Sequence, residues 1–539
     1  MVAFGLFALA MSVASQDPGC VNHASRQQAG YAFVDVNVVP MDRERVLLGR
    51  TVLVSGCRIA TIGHRDSVTV PAGYIRIEAG DDLFLVPGLV DAHTHLRYEN
   101  DLTLYAARGV TTVRNMNGDD RHIQWKAKVR SGGFGPRIIT AAGTPYDASW
   151  PSARVRAYVD SVDARGFDFL KVYDGTPAEV YRELVESGKR TRMPVAGHVP
   201  ATIGVNGVLA ARQQTIEHAE QFVYHWFGSD LDVSRVSELA RNVKAAGVAV
   251  TPTVSVIDSW IAVADSALSL LTRPEIKWLH PETFAFWHTY SRTSSFENRM
   301  IEQFQRPLIR ELAQQDVPIL VGTDALMAGL LGPWGVQREI RALHSAGLSR
   351  FQALRAATAT PASVLRYDAG VVSANKLADL VLLRGNPLDD LSALEQVQGV
   401  MVDGVWHDSA GLTRRLETIA TSYRRGNEFV RLALRGTLGE AIALQNNLRA
   451  LGDSTRLDAG NIGYVASILR QRGRADDAIR VYELAIEENA RNAAAHEGIA
   501  RAHLVAGRVQ EAIASLRRAL TIDPNRASAR SLLNGLSAR

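Results

Sequence analysis

Residues 86–95 read VPGLVDAHTH, an apolar run that ends in two histidines one residue apart. On an extended segment, residues two apart point to the same side, so His93 and His95 can both reach one ion. The same letters also suit two ordinary hydrogen-bonded histidines on a loop. What the chain supplies at equivalent places decides between the two.

Working outward, the runs LFLVPGLV, GVTTVR, PRIITAAG, FDFLKVYD, MPVAGHV, QTIEHAE, VAVTPTVSV and VPILVGTDA are each followed by a helix-like stretch. Alternation of this kind predicts an α/β fold, a closed (β/α)8 TIM barrel over residues 83–371. The polar residues give an independent check. His93, His95, Lys171, His198, His218 and Asp324 all fall at or just past the C-terminal ends of the proposed strands, the face on which such barrels carry their sites. Placement at several strand ends favours the metal reading over separate coincidences.

Short strand patterns flank this region, YAFVDVNVV, TVLVSGCRIATIG and YIRIEAG before it and KLADLVLLRGNP and VQGVMVDGVWHD after it. They predict a small composite β-sandwich built from residues 31–82 and 372–410. An insertion over about 255–315, carrying Trp260, Trp278, Phe284, Phe286, Trp287 and Tyr290, is too long for a bare loop and is expected to hold helices. Its rings either wall a substrate pocket at the barrel mouth or form a core of the insertion itself. Beyond 416 the periodicity is helical. GRADDAIRVYELAIEENARN and GRVQEAIASLRRALTIDPNR align Gly473 with Gly507, Ala478 with Ala512, Tyr482 with Leu516 and Ala485 with Ala519. That period of about 34 predicts an all-α, tetratricopeptide-like domain over 416–539, with a degenerate earlier copy in GTLGEAIALQNNLRALG and a terminal capping helix in SARSLLNGLSAR.

A chain of 539 residues is long enough for two or three domains. With 60 basic against 56 acidic residues, the small positive surplus gives no support for a nucleic-acid partner. The start, MVAFGLFALAMSVAS, reads as the apolar part of an export signal over residues 1–16, although no Lys or Arg precedes Arg26. Export would place the protein in the periplasm or outside the cell; a non-functional signal would leave it in the cytoplasm. The run is too short for a stable membrane span. Cys20 and Cys57 form either one disulfide after export or a reduced pair, and no cysteine cluster for a metal exists.

The stretches LVPGLVDAHTHL, ARGVTTVRNMNG, FDFLKVYDG, GHVP, IEHAE, VGTDA, ALRAATATPASVL and NKLADLVLLRGNPLDD follow one another in this order. On them, residues 31–410 resemble the amidohydrolase superfamily, in particular its imidazolonepropionase-like and metal-dependent, prolidase-like dipeptidase subgroup. The resemblance implies two divalent metal ions, usually zinc, although Mn2+, Co2+ or Ni2+ suit the same donors. His93, His95 and Asp324 would hold the more buried ion and His198 and His218 the exposed one. A carboxylated Lys171 would bridge them; its plainer use is to neutralise Asp168 or Asp174.

The implied reaction is hydrolysis of a C–N amide bond by metal-activated hydroxide, with Asp324 as proton shuttle. The expected substrate is small, a dipeptide or N-acyl amino acid. Alternatives at the same site are a lactone, a carbamate or a phosphotriester, or an inactive barrel that acts through its repeats. Tyr173, Tyr224 and His225 are candidates to steady the developing oxyanion or the substrate carboxylate, set against ordinary loop packing. Arg97 and Arg114 could also meet that carboxylate, with a core salt bridge as the alternative for Arg114. Gln337 stands where the family often has histidine, a change expected at the mouth. The repeat region is an addition to the common architecture, suited to a protein partner, to self-association or to packing on the barrel.

Overall fold

A computed structural model describes Cys20 and residues 30–143, 150–228, 231–270, 273–288, 295–325 and 327–537. The apolar N-terminal run and Tyr290 lie outside the described residues.

The run LFLVPGLV serves two structures. Leu83–Pro87 belongs to the small sheet, and Leu89–Thr94 begins the parallel strands. Gly88 makes the joint, because a Cβ there would lie 2.0 Å from the Thr111 hydroxyl oxygen. The small sheet runs in the order Val405–Asp408, Val397–Val402, Leu380–Arg384, Leu83–Pro87, Gly30–Val38, Leu47–Ser55, Arg58–His64, with Tyr74–Glu78 added on Gly30–Val38. Both ends of the chain region therefore contribute, as expected. The strands form one continuous hydrogen-bonded order. Gly30–Val38 pairs with Tyr74–Glu78 at residues 30–34 and with Leu83–Pro87 at 37–38, changing partners across Asp35, whose φ is 54° and where the register with Leu47–Ser55 shifts. Phe33, Val36, Leu85, Leu380 and Met401 form its core. Cys20 and Cys57 are joined by a disulfide.

Parallel strands follow, Leu89–Thr94, Val110–Gly118 and Arg137–Ala142 in one group and Leu170–Val172, Val195–Gly197, Thr215–Glu217 and Ala249–Thr251 in a second. Parallel bridges join Ala141 to Phe169, Val250 to Ile319 and Thr94 to Ala325. The segment 318–325 thus stands between Ala249–Thr251 and the first parallel strand. Every one of the runs read from the sequence falls on one of these places. Helices cover the strands, and Val155, Leu184, Val208, Leu239, Leu308 and Ile340 of those helices join one large core.

The insertion is helical as expected, with α-helices over Val254–Leu270, Pro281–Trp287 and Ser295–Gln314. Among the described residues its aromatic rings pack into cores, Trp260 against the parallel-strand core and Trp278, Phe284, Phe286 and Trp287 against the C-terminal region. Phe284 and Trp287 pack with Ile276 and Leu279 against Phe429, Val430, Leu457 and Ile462 of the C-terminal helices, and Trp278 stacks on Trp334 at 4.8 Å between ring centroids.

A single helix, Ser409–Arg435, runs through the expected boundary at 416. Leu412 packs on the parallel-strand core, Ile419 and Tyr423 on Leu104, and Phe429 on the insertion. Six further helices end at Ser537. Ala478, Ala485, Ala512 and Ala519, aligned by the repeat, are all fully buried, which is how small residues let paired helices approach. No helix among the described residues is long and apolar enough to cross a membrane.

Candidate metal centre

His93 lies in the first parallel strand and His95 just beyond it; Lys171 lies in Leu170–Val172, and His198 and His218 directly follow Val195–Gly197 and Thr215–Glu217. Short strands bury the backbone up to the turn, so the next side chain emerges at the C-terminal rim. The turns there are strained. His218, Thr253 and Asp324 have φ of 69°, 51° and 48°, left-handed values that cost of order 1–3 kcal/mol each and cluster at functional sites. The backbone N–H of Asp324 donates to the His93 carbonyl at 2.7 Å, which ties the last segment to the first strand.

Ligand atoms of His93, His218 and Asp324 all lie within 4.8 Å of one another, and all three residues are buried. Asp324 Oδ1 is 3.4 Å from His93 Nε2 and 3.1 Å from His95 Nε2. The His198 ring stands 4.8 Å from that of His218 and 5.1 Å from Tyr173, and Lys171 Nζ lies 5.0 Å from the Tyr173 ring centre. The structure therefore brings together all six residues singled out as ligands, with Tyr173 beside them. His225 is drawn in through Asp174, whose carboxylate is 3.1 Å from His198 Nδ1 and 3.7 Å from His225 Nε2. Tyr224 differs, being 48% exposed on the same π-helical turn, Val223–Phe227. Asp168 is taken by Lys126 at 2.6 Å.

Several partners of these residues were not singled out by the sequence. Glu217 accepts from His93 Nδ1 at 2.8 Å and from Arg114 at 3.0 Å, with both carboxylate and guanidinium fully buried. An ionised carboxylate only accepts, so Nδ1 carries the proton and Nε2 keeps the lone pair in the neutral ring. Asp91 takes the Thr323 hydroxyl at 2.6 Å, the Tyr105 hydroxyl at 2.9 Å and the His93 amide at 3.2 Å. His218 Nδ1 meets the Thr253 hydroxyl at 2.8 Å. Glu217, Glu220 and Asp91 stood in the quoted motifs, but nothing local in those motifs reveals which group each one faces.

Arg114, a candidate for the substrate carboxylate, is instead enclosed with Glu217, Thr215 and Gln214. Arg97 stands 3.9 Å from Glu282. Gln337 does not reach the mouth: it is buried and donates to the Leu394 carbonyl at 2.9 Å.

Burial shifts the titrations in the direction metal binding needs. It holds His198 down to about 4, with Lys171 adding to the effect, pushes His218 well below the ordinary range, and lowers His95 against the pull of Asp324. These rings present neutral lone pairs at neutral pH. For His93, burial and Lys171 oppose protonation but Asp324 and Glu217 outweigh them, so it is raised; a site between two carboxylates attracts positive charge. Burial also opposes ionisation of Asp324, yet His93 and His95 hold it well below the carboxylate range. Lys171 is drawn down to about 8 by burial, against Glu217 and Asp324. Glu220 is pushed up to about 8 by burial, with Asp324 and Asp174 contributing.

The donor set fits a divalent cation. It combines imidazole and carboxylate, and the buried Nε2 of His93 makes no hydrogen bond among the described residues.

The model of the amidohydrolase family matches residues 84–407, and the chain belongs to that family. A tetratricopeptide repeat model matches residues 466–527. No curated protein matches the chain. Among solved structures, a prolidase candidate from Bifidobacterium longum is 25% identical, with a TM-score of 0.56 over 73% of this chain and 99% of its own. Bottromycin amidohydrolase is 25% identical, with a TM-score of 0.58 over 76% of this chain and 96% of its own. A Xaa-Pro dipeptidase with bound methionine, 21% identical, shares the fold with a TM-score of 0.54 over 70% of this chain and 99% of its own. The family and the clustered His93, His218 and Asp324 together support a metal-dependent hydrolase.

Proposed function

We propose that the parallel segments close as a (β/α)8 barrel and that the chain hydrolyses the C–N bond of a dipeptide or N-acyl amino acid. The observation that carries the reading is the buried triad His93, His218 and Asp324, with His93 Nε2 making no hydrogen bond among the described residues. Likeness to a prolidase candidate and an amidohydrolase supports an amide substrate.

In this reading two divalent ions, zinc first among those the donors suit, would be held by His93, His95 and Asp324 and by His198 and His218. When bound, such ions polarise the carbonyl and make water nucleophilic at neutral pH. Lys171, whose neutral amine burial favours, would join the donors as a carbamate after taking up CO2 and releasing a proton. Asp324, kept ionised, accepts the proton released during attack and passes it to the leaving amine. Tyr173 and His225 stand beside His198 and Asp174, where they can donate to the developing oxyanion or the substrate. Tyr224, 48% exposed, and Arg97, 3.9 Å from Glu282, are the remaining candidates for the substrate carboxylate. An apolar start and the disulfide support an exported protein. The buried seam between insertion and helices supports an architectural role for the first repeats, leaving the distal ones for a partner.

The test is release of free amine from a panel of dipeptides and N-acyl amino acids, using metal-loaded protein supplied with bicarbonate. Turnover is expected with the native chain. A metal-replete protein inert on every amide but active on lactones, carbamates or phosphotriesters would overturn the amide assignment and keep the site.

A further inference from the structure

The opposite end of the parallel strands carries a second cavity of about 1430 Å3. Its lining includes Asp168, Pro194, Gln214, Ala249 and Pro318, which sit at the N-terminal ends of the strands, away from the rim that holds the imidazoles.

Charge in this cavity is unbalanced. Nine cationic side chains line it against four carboxylates. Each carboxylate is already engaged: Asp168 by Lys126 at 2.6 Å, Asp368 by Arg58 at 2.7 Å and Lys376 at 2.6 Å, and Asp379 and Asp403 by Arg137 at 3.6 and 3.9 Å. Arg130, Arg192, Arg212 and Arg366 also line it, are exposed, and have no side-chain hydrogen bond or ion pair among the described residues.

The backbone gives an independent observation. Helix-to-strand turns here need a left-handed residue, and Gly166 and Gly247 fill that role at φ of 86° and 68°. At Arg192 and Arg212 the same kind of turn carries φ of 63° and 54°, and Arg366, just past the helix Ala359–Val364, has φ of 60°. Arginine has no side-chain means of easing that conformation, unlike Asn or Asp. Strained arginines recur at three turns around one cavity, where glycine would relieve the backbone. That pattern points to a use for the guanidinium groups.

We propose that this N-terminal face binds an amphipathic organic anion, its carboxylate or phosphate held by Arg192, Arg212 and Arg366 and its apolar body against Phe134, Met193 and Leu365. The cavity lining includes the buried Arg114, whose partner Glu217 in turn bonds His93 on the far side.

The test uses the full chain and the fluorescence of 8-anilinonaphthalene-1-sulfonate, with the uncharged N-phenyl-1-naphthylamine as control. The sulfonate should bind saturably and more weakly as salt rises, and the neutral control should bind far less. The triple variant Arg192→Gly, Arg212→Gly, Arg366→Gly should bind it at least about tenfold more weakly, with thermal stability equal to or above the native chain. Competition by decanoate against decyl phosphate then identifies the head group. Equal binding of the neutral control, unchanged affinity in the variant, or a variant with lowered melting temperature would each overturn the assignment, the last by showing that the arginines serve the fold.

Discussion

The two ends of the parallel strands use the same backbone device for different chemistry. At the C-terminal rim, left-handed turns present His218 and Asp324, buried and drawn together into a cluster that attracts a cation. At the N-terminal rim, left-handed turns present Arg192, Arg212 and Arg366, exposed and without partners among the described residues. The first end is also covered, since the insertion and the first repeat helices pack into one core beside it. The lesson is that position on the strand sets where a side chain emerges, while its neighbours decide whether its charge is used up. Substitutions at each end can break or sharpen that contrast.

The largest effect is expected at Asp324. In the proposed reaction Asp324→Asn would remove a ligand and the proton acceptor together, so amide turnover should fall at least about 1000-fold, or about 4 kcal/mol in the barrier. Amine release measured alongside bound metal checks it. Retention of a tenth of native turnover would show that the rim chemistry does not run through this carboxylate.

Next comes the cover. Phe284 is 1% exposed in the seam with Phe429 and Val430, and truncation of such a side chain costs about 3–5 kcal/mol. Phe284→Ala should lower stability by that amount in denaturant unfolding. A loss below about 1 kcal/mol would mean that the seam is loose and the repeats are held independently.

These first two targets also mark what could be read in advance. That His93, His218 and Asp324 gather at one place was legible because strand ends in such a fold converge on one rim, so order along the chain was enough. The seam was not, because an aromatic residue in a long insertion looks alike whether it lines a pocket or faces another domain. Glu217 shows the same limit. It stood beside His218 in a quoted motif, but its role depends on Arg114, 103 residues earlier in the chain. The change of partner along Gly30–Val38 was hidden for a related reason, since alternation there does not reveal that one edge is shared by two strands.

A smaller effect, confined to a pH window, is expected where the cover begins. Glu339 accepts from the amides of Val254 and Ser255 at 2.9 and 2.8 Å, and burial pushes its carboxyl up from 4.5 to about 7. A raised acid binds its proton more tightly when folded, so stability is full below 4.5 and declines as pH rises through about 7. The decline attributable to this group is about 3 kcal/mol. Glu339→Gln should begin less stable at low pH, having one amide acceptor fewer, and its gap to the native chain should narrow as pH rises. A gap that stays constant across the window would show that Glu339 remains ionised.

The smallest effect separates backbone from side chain at the N-terminal rim. Gly247 has φ of 68°, and a Cβ added there meets no atom within 4 Å. Gly247→Ala therefore changes little besides the left-handed backbone and should cost about 1 kcal/mol. At Arg212, φ is 54° and the same backbone cost is already present, so Arg212→Gly should recover a similar amount, up to about 1 kcal/mol. Opposite signs in the two unfolding measurements would show that the arginine turn carries strain that glycine relieves. A loss in both would mean that the Arg212 side chain stabilises the fold by more than its backbone costs, and the likeness between the two rims would then end at geometry.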